Sequence, residues 1–148
     1  MKTMATLNDI VRRGWLLAVL GFGMLGGLAA GPVQAQEAAL SRLQEAFAAG
    51  DADAVLADAA DRVEIALLGQ SKLYSRAQAT YVMEDFFRRY PPETFTLHND
   101  ARDEGNWFAT GRYQYKHAEQ PLHVYLRLRL RGEQWEVLEV RVEQRRGE

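Results

Sequence analysis

The stretch Leu122-His-Val-Tyr-Leu-Arg-Leu-Arg-Leu-Arg131 sets Leu122, Val124, Leu126, Leu128 and Leu130 against His123, Tyr125, Arg127, Arg129 and Arg131 in strict alternation. Successive side chains of a strand point to opposite faces, so this period builds one apolar face and one charged face. Such a strand needs a layer over one side and water on the other, which points to a sheet covered on one face. Gly132-Glu133 follows, a glycine-first turn suited to a hairpin, and Gln134–Gln144 reads as the returning strand. The turn sets the register: Leu130 faces Trp135, Arg129 faces Glu136 and Leu128 faces Val137. Continued unchanged, that register would put Glu139 opposite Leu126 and Arg141 opposite Val124, burying two charges. One extra residue near Leu138-Glu139 restores Val140 to Leu126 and Val142 to Val124. A β-bulge is therefore predicted there, and it would also bend the sheet.

Upstream the period changes. Leu40, Leu43 and Phe47 recur at helical spacing and predict a helix over Gln36–Ala49, stopped by Gly50. Asp51 is placed to cap a second helix over Ala52–Ala60. Val63–Leu68 alternates as a short strand ending at Gly69. Ser75-Arg76-Ala77-Gln78 is a capping box, after which Ala79, Val82, Met83, Phe86, Phe87 and Tyr90 fall on one helical face. Glu84–Arg88 and Asp85–Arg89 are favourable i,i+4 pairs on the other face, and Pro91-Pro92 ends the helix. Strands over Thr94–Ala101 and Asn106–His117 complete an antiparallel meander of four with the last two. Helices first and strands last predict an α+β class.

The first 35 residues stand apart. Lys2, Arg12 and Arg13 precede an uncharged stretch from Gly14 to Ala35, which closes on Pro32-Val33-Gln34-Ala35, a small-x-small exit. Basic, apolar and small-residue segments in that order predict a signal peptide cleaved near Ala35, and hence a periplasmic or secreted protein. The alternative is an uncleaved membrane anchor; the stretch is long enough, but its glycines and Pro32 make it a poor span. Gln36–Glu148 then forms one domain. Setting aside Lys2, Arg12, Arg13 and Asp9 leaves 15 basic and 19 acidic residues, a formal net charge of −4. That balance offers no electrostatic footprint for nucleic acid. With no cysteine, disulfides, thiol nucleophiles and thiolate metal ligands are excluded.

The element order resembles the nuclear-transport-factor-two-like superfamily (SnoaL-like, cystatin-type roll), and the Ala49-Gly50-Asp51-Ala52-Asp53 junction with Asp61-Arg62-Val63-Glu64-Ile65 resembles its opening. More narrowly, Val63-Glu64-Ile65, Leu68-Gly69, Tyr74–Ala79, Asp85-Phe86-Phe87 and Pro91-Pro92 resemble the exported bacterial family catalogued as domain of unknown function 4783. The resemblance implies a cone-shaped roll with helices packed on the concave face of a strongly curved, mainly antiparallel sheet. It carries over no catalytic residues, and fold likeness does not fix function.

Three constellations follow from the faces. Trp107, Ala109, Gly111, Tyr113 and Tyr115 share the face expected to be concave, with Met83 and Tyr90 from the covering helix. The small residues there leave room for a ligand pocket with apolar walls and orienting hydroxyls, or for ordinary core. His98, His117 and His123 lie outward or near loops, and none shows metal-ligand spacing, so no metal or cofactor is expected. Arg127, Arg129 and Arg131, with Arg112 and Arg141 nearby, form a stripe that either receives an anion or partner, or is balanced by Glu136, Glu139 and Glu143. Glu64 sits between two β-branched residues, as a half-exposed strand residue or an acid at a pocket mouth. The expected function is non-catalytic binding of a small apolar or amphipathic ligand, through Met83, Tyr90, Trp107, Gly111, Tyr113 and Tyr115, or of a protein partner. The alternatives are a lyase or isomerase using a tyrosine or Glu64, and an assembly module dimerising through Tyr125, Arg127 and Arg129 on the convex face.

Overall fold

A computed structural model describes residues 32–145; the leader expected over residues 1–35 therefore lies almost wholly outside the described residues. The order is α1 (Pro32–Ala49), α2 (Ala52–Leu56), β1 (Ala59–Leu67), β2 (Gln70–Ser75), α3 (Arg76–Arg89), β3 (Pro92–Asp103), β4 (Asn106–Tyr115), β5 (Leu122–Arg131) and β6 (Gln134–Gln144). The strands make one curved sheet in the order β2-β1-β6-β5-β4-β3, an α+β roll. Neighbours are antiparallel except β1 and β6, which run parallel. β6 thus joins the N-terminal hairpin to the C-terminal meander.

The caps behave as their chemistry dictates. Asp51 accepts a hydrogen bond from the Ala54 amide at the start of α2. Ser75 and Gln78 close the predicted capping box on α3. The α2 helix is shorter than expected, because Ala59 and Ala60 open β1 instead. Alanine is compatible with either state, and pairing of Ala59 with Val137 decides between them.

β2 has no counterpart among the predicted elements. Its polar sequence, Gln70-Ser-Lys-Leu-Tyr-Ser75, lacks a buried face because it is an edge strand. Leu68 and Gly69, both with positive φ (50° and 94°), turn the chain between β1 and β2.

The predicted bulge is present. Arg127 pairs with Glu139 and Leu128 with Val137, leaving Leu138 as the extra residue, while Val140 and Val142 face Leu126 and Val124. β3 carries another at His98, between the Leu97–Gly111 and Asn99–Thr110 pairs. That bulge turns Asp100 to the helix-covered face, where its carboxylate accepts from Trp107 Nε1 at 2.9 Å. Beside it, the Leu97 amide donates to Gln44 Oε1 of α1 at 3.0 Å, which anchors α1 over β3.

α1 lies over β3 and reaches β6, and α3 lies over β1 and β2. Between helices and sheet sits the core, with Phe47, Val63, Ile65, Met83, Trp107, Tyr113, Leu126 and Val140 at its centre. Burying side chains of this size contributes about 1.5–3 kcal/mol each in transfer free energy. Leu122, Val124, Leu126 and Leu128 are buried as the alternation requires, but Leu130 runs past the helical layer and is 43 % exposed.

Candidate functional site

Of the residues expected to line a pocket, Met83, Trp107 and Tyr113 are fully buried. Gly111 leaves space on β4, but the ring of Phe95 on neighbouring β3 fills it. A Cβ placed on Gly111 would stand 2.7 Å from Phe95 Cε2 and 3.0 Å from the Thr96 carbonyl oxygen. Phe95 also stacks near Phe47 (centroids 4.7 Å) and reaches Tyr113 (6.3 Å). This part of the concave face is packed core. Alternation along β4 alone could not reveal that, because the filling ring comes from another strand.

Tyr113 donates its hydroxyl hydrogen to the backbone carbonyl of Tyr90, and burial pushes its phenol well above the ordinary tyrosine range. Tyr90 and Tyr115 sit where the core meets solvent, with rings edge-to-face at 5.1 Å, and Phe86 backs Tyr90 at 5.2 Å.

Tyr90 opens onto a cleft of about 530 Å³ between α3 and the β1–β2 hairpin. Ile65, Leu67, Val82 and Phe86 give it an apolar floor; Gln70, Tyr74, Tyr81, Asp85 and Arg89 surround the mouth. The volume lies within the range of small-molecule sites, and so does the combination of apolar lining with a few polar groups. The cleft exists because α3 rests on β1 with its Ala79–Met83–Phe86 side, while β2, at the sheet edge, sends flexible Gln70 and Lys72 toward the same face. Tyr81 is 72 % exposed, a large aromatic ring left at the surface. Two aromatics in otherwise polar stretches, Tyr74 and Tyr81, were the sequence signal for this site; without β2, nothing placed them together.

A second groove of similar volume, about 540 Å³, runs between α1, α2 and the β5–β6 hairpin. Its polar groups are largely occupied: Arg42 pairs with Asp58 at 3.2 Å, and Asp51 caps α2. Much of its wall is alanine methyl, which does little to orient a ligand.

Glu64 faces the open side of the sheet, opposite the helices, and accepts a hydrogen bond from the Ser71 hydroxyl. His98 is exposed at its bulge, and His117 and His123 lie outside the core. Among the described residues no three histidine or carboxylate side chains are grouped to hold a metal ion.

On the open face, Phe108 and Tyr125 stand 43 % and 42 % exposed. The arginine stripe beside them is compensated: Arg127 lies 3.4 Å from Glu139, Arg129 and Arg131 each 3.2 Å from Glu136, and Arg141 2.8 Å from Glu139. Desolvation alone would raise the Glu136 carboxyl, but the hydrogen bonds and charges of Arg129 and Arg131 outweigh it and hold the group low.

The curved sheet with helices over its concave face defines a nuclear-transport-factor-two-like roll. Residues 40–143 match the family described as Domain of unknown function (DUF4783), and the chain belongs to that family. A crystal structure of a DUF4783 family protein from Bacteroides ovatus is similar, with a TM-score of 0.66 at 18 % identity, covering 72 % of this chain and 96 % of that one. One from Bacteroides uniformis gives 0.66 at 15 % identity, covering 72 % and 97 %. An NTF2-like protein of unknown function from Pseudomonas putida gives 0.58 at 17 % identity, covering 73 % and 82 %. At these identities the likeness shows the fold alone. No curated protein matches the sequence.

Proposed function

We propose that this chain is an exported binding domain that takes a small amphipathic molecule in the cleft between α3 and the β1–β2 hairpin. The carrying observation is the cleft itself, where a floor of Ile65, Leu67, Val82 and Phe86 meets a mouth bearing Tyr74, Tyr81 and Tyr90. An apolar floor supplies affinity through burial and the polar mouth orients the ligand's wet end. Of the residues expected to bind, Tyr90 lines this cleft, Tyr115 supports it, and Met83 and Tyr113 form the packed layer behind it. Native mass spectrometry of the purified protein tests the reading. A co-purified small molecule that disappears in Val82→Trp supports it, and an identical bound mass in that variant refutes it. Export is checked separately by intact mass, which should correspond to a chain beginning at Gln36.

The exposed Phe108 and Tyr125 favour a second reading, pairing of two copies through the open sheet face, which also carries the Arg127–Glu139 and Arg129–Glu136 ion pairs. Tyr125→Glu should then dissociate the dimer in sedimentation. A wild-type protein that sediments as a monomer at high micromolar concentration would end this reading.

A further inference from the structure

β5 and β6 are the two middle strands of the sheet, with β1 and β2 on one side and β4 and β3 on the other. Their register sets His123 beside Glu143, Tyr125 beside Arg141, Arg127 beside Glu139 and Arg129 beside Glu136. All eight face away from the helices, because Val124, Leu126 and Leu128 alternate with them on β5, and Val137, Val140 and Val142 on β6, in the core. Each step along the pair therefore joins a carboxylate to a nitrogen base, or a guanidinium to an aromatic ring. β5 itself contains no acid. Apolar surface lies on the same face: Phe108 on β4, Tyr125 on β5 and Leu73 on β2 are 43 %, 42 % and 49 % exposed.

We infer that a second copy of this chain docks on the open face about a two-fold axis running along the strands, above the boundary between β5 and β6. The inference rests on the dimer reading and adds its register. Such an axis keeps each residue's height along the strands and exchanges left for right, so β5 of one copy lies over β6 of the other. The pairs made within each sheet are then repeated between sheets. Arg127 meets the second copy's Glu139, Arg129 meets its Glu136, and the Arg141 guanidinium meets its Tyr125 ring. Other axes lose this match. One above β5 sets Arg127 and Arg129 on their own copies, and one above β6 does the same to Glu136 and Glu139. An axis across the strands also lays β5 on β5, where its arginines meet no carboxylate. The axis between β5 and β6 further places β4 over the second copy's β1. Phe108 then falls on the Glu64–Ala66 stretch, where Ala66 is small and the Glu64 carboxylate is engaged by Ser71. Apolar burial supplies affinity, and the charge match fixes the register. Sheet twist turns the two faces by about 30°, so the match is closest at the Tyr125 and Arg127 rows near the middle.

The test mixes two charge reversals. Arg127→Glu and Glu139→Arg each oppose like charges at both symmetry-related contacts, so each alone should weaken dimerisation by at least about tenfold in sedimentation. Mixed in equal amounts they should recover the dimer, because every Arg127–Glu139 contact between the two variants then joins opposite charges. Native mass spectrometry should show one copy of each in that dimer. Arg129→Glu with Glu136→Arg repeats the test one pair along, so a first variant that fails to melt cooperatively does not remove it. A wild-type dimer that neither reversal weakens, or whose variants do not recover on mixing, would overturn the axis and leave the dimer reading in place. A wild-type monomer would overturn both.

Discussion

The hollow over Gly111 and the cleft beside Tyr90 begin from the same kind of local geometry, small or flexible residues on a strand beneath a helix. One is packed and the other open. Over Gly111 the neighbouring strand β3 carries Phe95, whose ring reaches across and fills the space. Beside Tyr90 the neighbouring strand is β2, an edge strand that contributes Gln70 and Tyr74 to the cleft. Long polar side chains keep their heads in water rather than fill an apolar void. Whether a gap stays open therefore depends on the residue one strand over.

Substitution by a larger side chain should expose that contrast most directly. Gly111→Leu drives a side chain into Phe95 and the Thr96 carbonyl and should destabilise the fold by about 1–3 kcal/mol or more, read by thermal or urea melting. A melting temperature equal to wild type would mean that the Phe95 ring does not occupy this space. Tyr113→Phe tests the packed side at a single bond. It removes the donor to the Tyr90 carbonyl and should cost about 1 kcal/mol. Val82→Trp is the converse of Gly111→Leu: the added ring enters the cleft, so ligand binding should fall while stability stays within about 1 kcal/mol of wild type. A strongly destabilised Val82→Trp would make the two regions alike.

The smallest effect belongs to the open face. Glu136 is held low by Arg129 and Arg131, so its folded form releases its proton more readily than its unfolded form. It contributes stability above the unfolded value, and that contribution is lost as pH falls through the lower, folded value. Glu136→Gln should lower stability by no more than about 1 kcal/mol at neutral pH, with the difference from wild type vanishing in acid. A constant difference across an acid titration of melting temperature would show that the carboxylate's charge is not what matters.

Much of the sheet was legible because it is written in local periods. The bulge at Leu138 could be read because the alternative buries Glu139 and Arg141, a cost large enough to decide the register from sequence. The capping box on α3 is a four-residue signal and needs no tertiary context. β2 was not legible, since an edge strand with no buried face carries no alternation to detect. The filling of Gly111 and the composition of the cleft were hidden for a related reason. Both depend on which residues of different strands and helices meet, and the His98 bulge, which no charge pattern announces, sets part of that register in β3. Likewise the parallel pairing of β1 with β6 joins segments at least 75 positions apart, Ile65 to Val140 among them.

That pairing also orders events in time. During synthesis the β1–β2 hairpin and the β3–β4–β5 meander emerge as separate pieces, and neither has a partner strand in the other until β6 is made. Until then β1 and β5 each present a free edge backed by Val63, Ile65, Val124 and Leu126, the arrangement most prone to join the wrong chain. The sheet closes from its middle with the strand that arrives last. A chain stopped short of Gln134 therefore lacks the strand through which the two parts of the sheet are joined.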